Sequence, residues 1–274
     1  MTRKLILFFS MAVVFLMIIL LWAYIADLQV QSNNNLTETR QTEQNLELLR
    51  QAVYPQDSLG KYVLFMLPTA RITDGRGMCS GVLVKVVPEE GEVFANYVIS
   101  VAHGVHRDRV TVQLTNVNTG LVESEEATVL KKYESSDLSV LRFYTASQKF
   151  QPCRPMTLGV SEAILFDPVY AVGCPGGSEP MFTRGEVVNM AFEFGDGNKY
   201  WMVNSNIWFG SSGGPVFLER TGELIGLTAR MPGDTMFQMI GPIDFPLNFI
   251  DIIVPIATIQ DVIGKDYPEL FKAK

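Results

Sequence analysis

An all-β body of about 200 residues, preceded by an apolar N-terminal run and a polar stalk, is the fold class the sequence predicts. Three observations carry it. From Tyr62 onward the chain breaks into short apolar or alternating runs rich in β-branched residues. Turn-forming clusters separate these runs closely enough for hairpins and meanders. Strands nowhere alternate regularly with long helices, so a parallel α/β sheet is not indicated.

The first element is the uncharged run from Leu5 to Ala26. As a helix rising ~1.5 Å per residue it is long enough to span a hydrocarbon core of ~30 Å. A cleaved leader would have a shorter apolar region, and bulky Tyr24 occupies a position that should be small if cleavage followed Ala26. The expectation is therefore an uncleaved anchor over residues 5–26. Arg3 and Lys4 precede the run and the next basic residue is Arg40, which predicts a cytoplasmic N-terminus and an extracytoplasmic remainder. Residues 27–58 read as the stalk, with Leu46, Leu49 and Val53 spaced for a short amphipathic helix.

The β-rich region begins with the runs Gly81–Val87, Tyr97–Val101 and Val110–Leu114, punctuated by Pro88-Glu89-Glu90-Gly91 and Asn116-Val117-Asn118-Thr119-Gly120. A second set follows Pro155: Val169–Gly173, Gly185–Val188 and Glu223–Leu227. The segment after Pro255 predicts a closing helix broken near Gly264.

Composition narrows the chemistry. Net charge is −7, and the basic residues form no long cluster, so nucleic acid is excluded as the expected partner. The only histidines are His103 and His106, and there is no H-E-x-x-H pattern, so no metal or other cofactor is expected. Cys79, Cys153 and Cys174 form no C-x-x-C pair and allow at most one bridge.

Gly210-Ser211-Ser212-Gly213-Gly214-Pro215 is the strongest local signal. A nucleophilic serine needs flanking backbone free to turn N–H groups toward a substrate oxygen, and glycine permits that approach. Read alone, the segment would also suit a Gly/Ser-rich hairpin loop. His103 follows an apolar strand, where a base is held rigidly, and Asp137 stands at the entrance to the strand Leu138–Leu141, placed to be buried against an imidazole. His106, among Arg107, Asp108 and Arg109, is expected to be solvated.

Together, Ala102-His103, Asp137-Leu138 and the 210–215 run resemble the signature segments of chymotrypsin-like serine peptidases, whose His, Asp, Ser order they follow. Ser80–Val84, Ala171–Gly177, Thr183–Val188 and Gly222–Leu227 extend the resemblance to the Deg/HtrA-type branch, over roughly residues 60 to 260. The resemblance implies a chymotrypsin-like double β-barrel within residues 59–274, with barrel one at about 60–150 and barrel two at about 155–260. It implies Ser212 as nucleophile, His103 as general base and Asp137 as its orienting partner. Backbone N–H groups of Gly210, Ser211 and Ser212 would form the oxyanion hole. Asn206, Ile207, Leu227, Thr228 and Ala229 would shape the specificity pocket. With no acid among Asn204 to Ser211, a small or medium apolar side chain is expected before the scissile bond.

Departures accompany the matches. Gly104 stands where many secreted relatives carry a cysteine, so a disulfide at Cys79 is not implied, and Cys174 replaces a residue commonly asparagine in that branch. Ending at Lys274, the chain has no room for the PDZ domain usual in that branch, so control is expected from loops, stalk, self-association into a homo-oligomer or another protein. The resulting expectation is a membrane-anchored serine endopeptidase acting on protein or peptide substrates. Two alternatives are a protease-fold binding module without turnover and an esterase. The esterase is disfavoured because Gly214-Pro215 leads into a strand where a G-x-S-x-G elbow would lead into a helix.

Overall fold

The computed structural model of the protein describes residues 58–90, 93–155, 162–193, 197–230 and 250–272. The expected anchor at Leu5–Ala26 and nearly all of the stalk lie outside the described residues. Among the described residues no helix is long and apolar enough to cross a membrane.

A single helical turn, α1 (Ser58–Lys61), continues as a wider turn over Tyr62–Met66. Six strands follow: β1 (Thr69–Thr73), β2 (Met78–Glu89), β3 (Val93–Ser100), β4 (Arg109–Thr115), β5 (Val122–Tyr133) and β6 (Leu138–Thr145). They form a closed barrel in the order β1-β2-β3-β6-β5-β4, and the pairing Arg71↔Gln113 to Thr73↔Thr111 between β1 and β4 closes it. Closure removes the open edges that would otherwise template further pairing.

The second sheet has seven strands. These are β7 (Arg154–Pro155), β8 (Pro168–Gly173), β9 (Met181–Glu193), β10 (Lys199–Val203), β11 (Pro215–Leu218), β12 (Glu223–Arg230) and β13 (Asp251–Pro255). Their order is β11-β8-β9-β10-β13-β12-β7, and an additional β11–β12 pairing closes all but β7 into a second ring. Helix α2 (Ile256–Ile263) then packs on the body through Ile256, Ile259 and Ile263 and ends at Gly264, as the break after Pro255 predicts.

Burial explains why β2, β3 and β6 read as continuous apolar runs. Alternate residues point to opposite faces of a strand. Leu83, Val98, Leu141 and Phe143 fill the interior of the first barrel with Ile72, Val112 and Leu114. Their neighbours Val82, Val84, Ile99, Leu138 and Val140 belong to a different cluster, shared with Val172, Val216, Phe217 and Leu227 of the second barrel. These strands are apolar on both faces because both faces are buried. By contrast, β5 buries only Ala127 fully, and its outward positions Ser124, Glu126 and Thr128 are exposed.

Candidate active site

Strand register puts His103 beside Asp137. Strands β3 and β6 run antiparallel with Ser100 opposite Ser139, so the residues that continue β3 past Ser100 meet those that precede β6. The Ser139 hydroxyl donates to Val101 C=O at 3.1 Å and fastens that exit. Asp137 adopts a left-handed backbone, φ 52°, between a short helical turn (Glu134–Ser136) and β6, which aims its carboxyl back toward His103. One carboxyl oxygen accepts the His103 backbone N–H at 2.9 Å, and the other lies 2.7 Å from Nδ1 of the ring. The Asp137 side chain is 8% exposed and that of His103 is 47% exposed, so a buried acid holds a ring whose far side meets solvent.

Ser212 is brought to the same place by the second barrel. Its C=O accepts the N–H of Ser80 on β2 at 2.7 Å, and Gly81 beside it pairs with Ser100 at the end of β3. Gly213 has φ +83°, and a Cβ there would collide with Ser80 C=O and the Ser100 hydroxyl. Only glycine therefore lets the 212–213 backbone press against the exit of β3. On the other flank, Gly213 N–H donates to Thr228 C=O at 2.6 Å and Thr228 N–H to Gly214 C=O at 2.9 Å. Ser212 thus sits between β2 of one barrel and β12 of the other. Among the described residues, both hydrogen bonds of His103 go to Asp137, and the Ser212 hydroxyl is not bonded to the ring.

The N–H groups of Gly210 and Ser212 donate to no protein acceptor among the described residues, so both are free for an incoming oxygen. Ser211 departs from the expected donor set: its N–H is taken by Trp208 C=O at 3.0 Å. The loop is further fixed by Ser80, which sequence reasoning did not single out for this. Its buried hydroxyl donates to Gly210 C=O and accepts the N–H of Cys174, each at 2.8 Å.

Of the expected pocket residues, Leu227 and Thr228 adjoin this loop. Leu227, Thr228 and Ala229 are buried on β12, with Leu227 opposite Pro215; Ile207 is also buried, and Asn206 is exposed. Thr228 Oγ1 is buried without a hydrogen-bond partner. An acid reaches this region from a segment remote in sequence. Asp251, opposite Val203 on β10, accepts the Ser205 hydroxyl at 3.1 Å and the Ile207 backbone N–H. It is 1% exposed, and burial pushes its carboxyl up to about 7 despite those bonds.

His106 is exposed, as expected, and it is also held. Its side chain is 51% exposed, but Nδ1 lies 3.2 Å from Asp74 Oδ2, which accepts the His106 N–H at 2.9 Å. Burial alone would raise the Asp74 carboxyl, but N–H donors from Arg76, His106 and Gly77 outweigh it and hold the group at about 2. All three cysteines are free and buried. Burial pushes Cys79 up to about 12 and Cys174 up to about 11, which leaves both as unreactive thiols. Among the described residues no cluster of His, Cys, Asp or Glu is arranged to hold a metal.

Two closed β-barrels with a histidine–aspartate couple and a glycine-bounded serine loop at their junction define a chymotrypsin-like architecture. The chain belongs to the trypsin-like peptidase domain family, whose model matches residues 79–227, just over half of the sequence. No curated protein sequence matches it. Among solved structures, Deg5 superposes with a TM-score of 0.56 at 18% identity, covering 74% of this chain and 90% of its own. The protease Rv3671c in an inactive form gives 0.54 at 16% identity, covering 77% and 96%. A mutant of Rv3671c from M. tuberculosis H37Rv with serine replaced by alanine, also in inactive form, gives 0.53 at 16%, covering 74% and 88%. At these identities the likeness is one of fold.

Proposed function

We propose that the protein is a serine endopeptidase, held to a membrane by residues 5–26, that cleaves extracytoplasmic protein or peptide substrates in quality control or processing. The observation that carries the catalytic part is the His103–Asp137 couple, bonded through both backbone and ring at 2.9 and 2.7 Å, beside a serine whose loop offers two free N–H donors. Asp137 accepts a hydrogen bond from Nδ1–H, which leaves Nε2 unprotonated and able to act as a base. Ser212 Oγ attacks the scissile carbonyl carbon, and its proton passes to Nε2 of His103. The carbonyl oxygen becomes an oxyanion held by Gly210 and Ser212 N–H. Such donors contribute about 2.7–4 kcal/mol each to the transition state in measured cases. When the C–N bond breaks, His103 returns the proton to the leaving amine and an acyl-enzyme remains. Water, deprotonated by His103, then attacks the ester, and His103 returns that proton to Ser212 Oγ as the acid leaves.

The membrane and extracytoplasmic parts rest on the apolar Leu5–Ala26 run and the basic residues before it. A second reading, a latent or inactive binding module, is favoured by the missing bond between Ser212 and His103, although such bonds are often long before substrate arrives. Labelling of the full-length chain with a fluorophosphonate separates the two. Labelling that disappears in Ser212→Ala and His103→Ala supports the peptidase, whereas a folded chain that stays unlabelled supports the binding module.

A further inference from the structure

Barrel two presents a group of large apolar side chains at the end remote from Ser212. Ile164, Leu165 and Phe166 follow one another in the turn that leads into β8, and they are 61%, 47% and 71% exposed. The turn is fixed from within. Asp167 N–H donates to Ile164 C=O at 3.2 Å, Ile164 N–H donates to the Asp167 carboxyl at 2.9 Å, and Phe166 N–H donates to Val187 C=O at 2.8 Å. Arg220 reaches across from the β11–β12 turn, donating to Glu162 C=O and lying 3.6 Å from the Asp167 carboxyl. The Asp167 charge is thus turned inward, and residues 163–166 carry none. Phe166 has φ 69°, a conformation that a bulky side chain rarely adopts. Strain of that kind persists only where the surroundings enforce it, and here it holds a phenyl ring out in solvent.

The same end of the barrel receives the chain from its N-terminal side. Lys61 of α1 donates to the Tyr170 hydroxyl at 3.0 Å, which donates to Glu219 at 3.0 Å, and Leu64 Cδ1 lies 3.0 Å from where a Cβ on Gly222 would be. Strand β8 starts at this end with Pro168 and finishes at Gly173, which packs against Ser211. The serine loop is therefore about 17 Å away, at the other end of the strand. Single exposed hydrophobics are ordinary, but three together, edged by Lys61, Glu162 and Arg220, mark a surface that something apolar covers. A bilayer is the apolar surface the chain brings within reach. Residues 27–57 join this end to the 5–26 run and extend no further than about 110 Å, so a domain tethered through that run meets the lipid surface at high effective concentration. Lys61 and Arg220 beside the tip suit the headgroup level, where basic side chains can keep their charge in water. We infer that Ile164, Leu165 and Phe166 form a lipid-docking tip that enters the bilayer interface and holds the domain with Ser212 facing away from the membrane. This inference rests on the reading of residues 5–26 as an anchor.

The test uses the full-length chain reconstituted in vesicles of phosphatidylcholine and phosphatidylglycerol. A nitrobenzoxadiazole label is attached at Leu165→Cys or, as a control, at Met181→Cys, which is exposed opposite Gly173 at the serine end. All three native cysteines are buried, so the new thiol takes the label. The Leu165 label should emit at shorter wavelength and lose most of its emission to doxyl-labelled phosphatidylcholine, because interfacial elements enter the bilayer by about 5–10 Å. The Met181 label should do neither. Adding Phe166→Gly, which relieves the left-handed backbone as it removes the ring, should abolish most of that quenching, with a thermal midpoint close to wild type showing that the fold is intact. A chain that floats with the vesicles but is quenched equally at both positions, weakly or strongly, overturns the docking and leaves the anchor standing. A short-wavelength Leu165 signal without lipid quenching overturns it too, since another protein surface then covers the tip. A chain that does not float with the vesicles at all overturns the anchor, and the docking with it.

Discussion

Asp137 does two jobs that a single substitution can separate. One carboxyl oxygen accepts a backbone N–H of His103 and so sets where the residue sits, and the other faces Nδ1 and sets which tautomer the ring adopts. In Asp137→Asn the amide oxygen can keep the backbone bond. The amide NH2 then faces Nδ1 and favours the tautomer with its proton on Nε2, the wrong one for accepting a proton from Ser212. Turnover should fall by about 10⁴-fold, with KM little changed and the thermal midpoint within a few degrees of wild type. Steady-state kinetics beside a melting curve check both halves, and a variant that loses stability in proportion to activity would mean that Asp137 only props up the fold. His103 and Asp137 were singled out by their strand-bounded positions and Ser212 by its flanking glycines, and the structure sets His103 against Asp137. Asp74, Ser80 and Asp251 were not. Each has a partner 32, 130 or 46 positions away, at a distance in sequence that no local pattern reports.

At the scale of elements, the site depends on how closely the loop before β11 approaches the exit of β3. Gly213 governs that approach because the space for its Cβ is already filled by Ser80 C=O and the Ser100 hydroxyl, and its φ is +83°. Gly75, in the turn between β1 and β2, has a similar φ of +78° with nothing within 4 Å of where a Cβ would be. The pair separates backbone strain from collision. Gly75→Ala should cost roughly 1–2 kcal/mol, the usual penalty for a left-handed alanine. Gly213→Ala should cost more than twice as much and also lose fluorophosphonate labelling, because the 212–213 backbone must move off β2. Denaturant midpoints with labelling yields on the same samples check this, and equal costs at the two positions would rule out the collision. The strand runs themselves were readable from β-branched content and turn signals. Their assembly into two closed rings was legible only through the resemblance of the signature segments, since closure is made by β1–β4 and β11–β12 pairings that no local pattern specifies.

For the molecule as a whole, the shared cluster that joins the barrels makes stability and site geometry one quantity, and buried carboxylates make that quantity depend on pH. Asp74 is held at about 2, below its ordinary 3.8, so its contribution is present above about pH 4 and is lost as pH falls toward 2. Asp251 acts in the opposite sense. Its carboxyl is raised from 3.8 to about 7 in the folded protein, so between those values the folded chain holds a proton that the unfolded chain has released. Stability from this group therefore falls as pH rises from 4 to 7, and above 7 a buried charge costs on the order of 4 kcal/mol. An asparagine can replace the neutral acid in its bonds to Ser205 and Ile207 without ever ionising. Asp251→Asn should accordingly match wild type near pH 4 and become progressively more stable than wild type toward pH 8, with the gap opening between pH 4 and 7. Thermal unfolding of both proteins across that range measures the gap directly. A wild-type midpoint that rises with pH relative to the asparagine variant would show that Asp251 is paired with a positive charge in the folded chain.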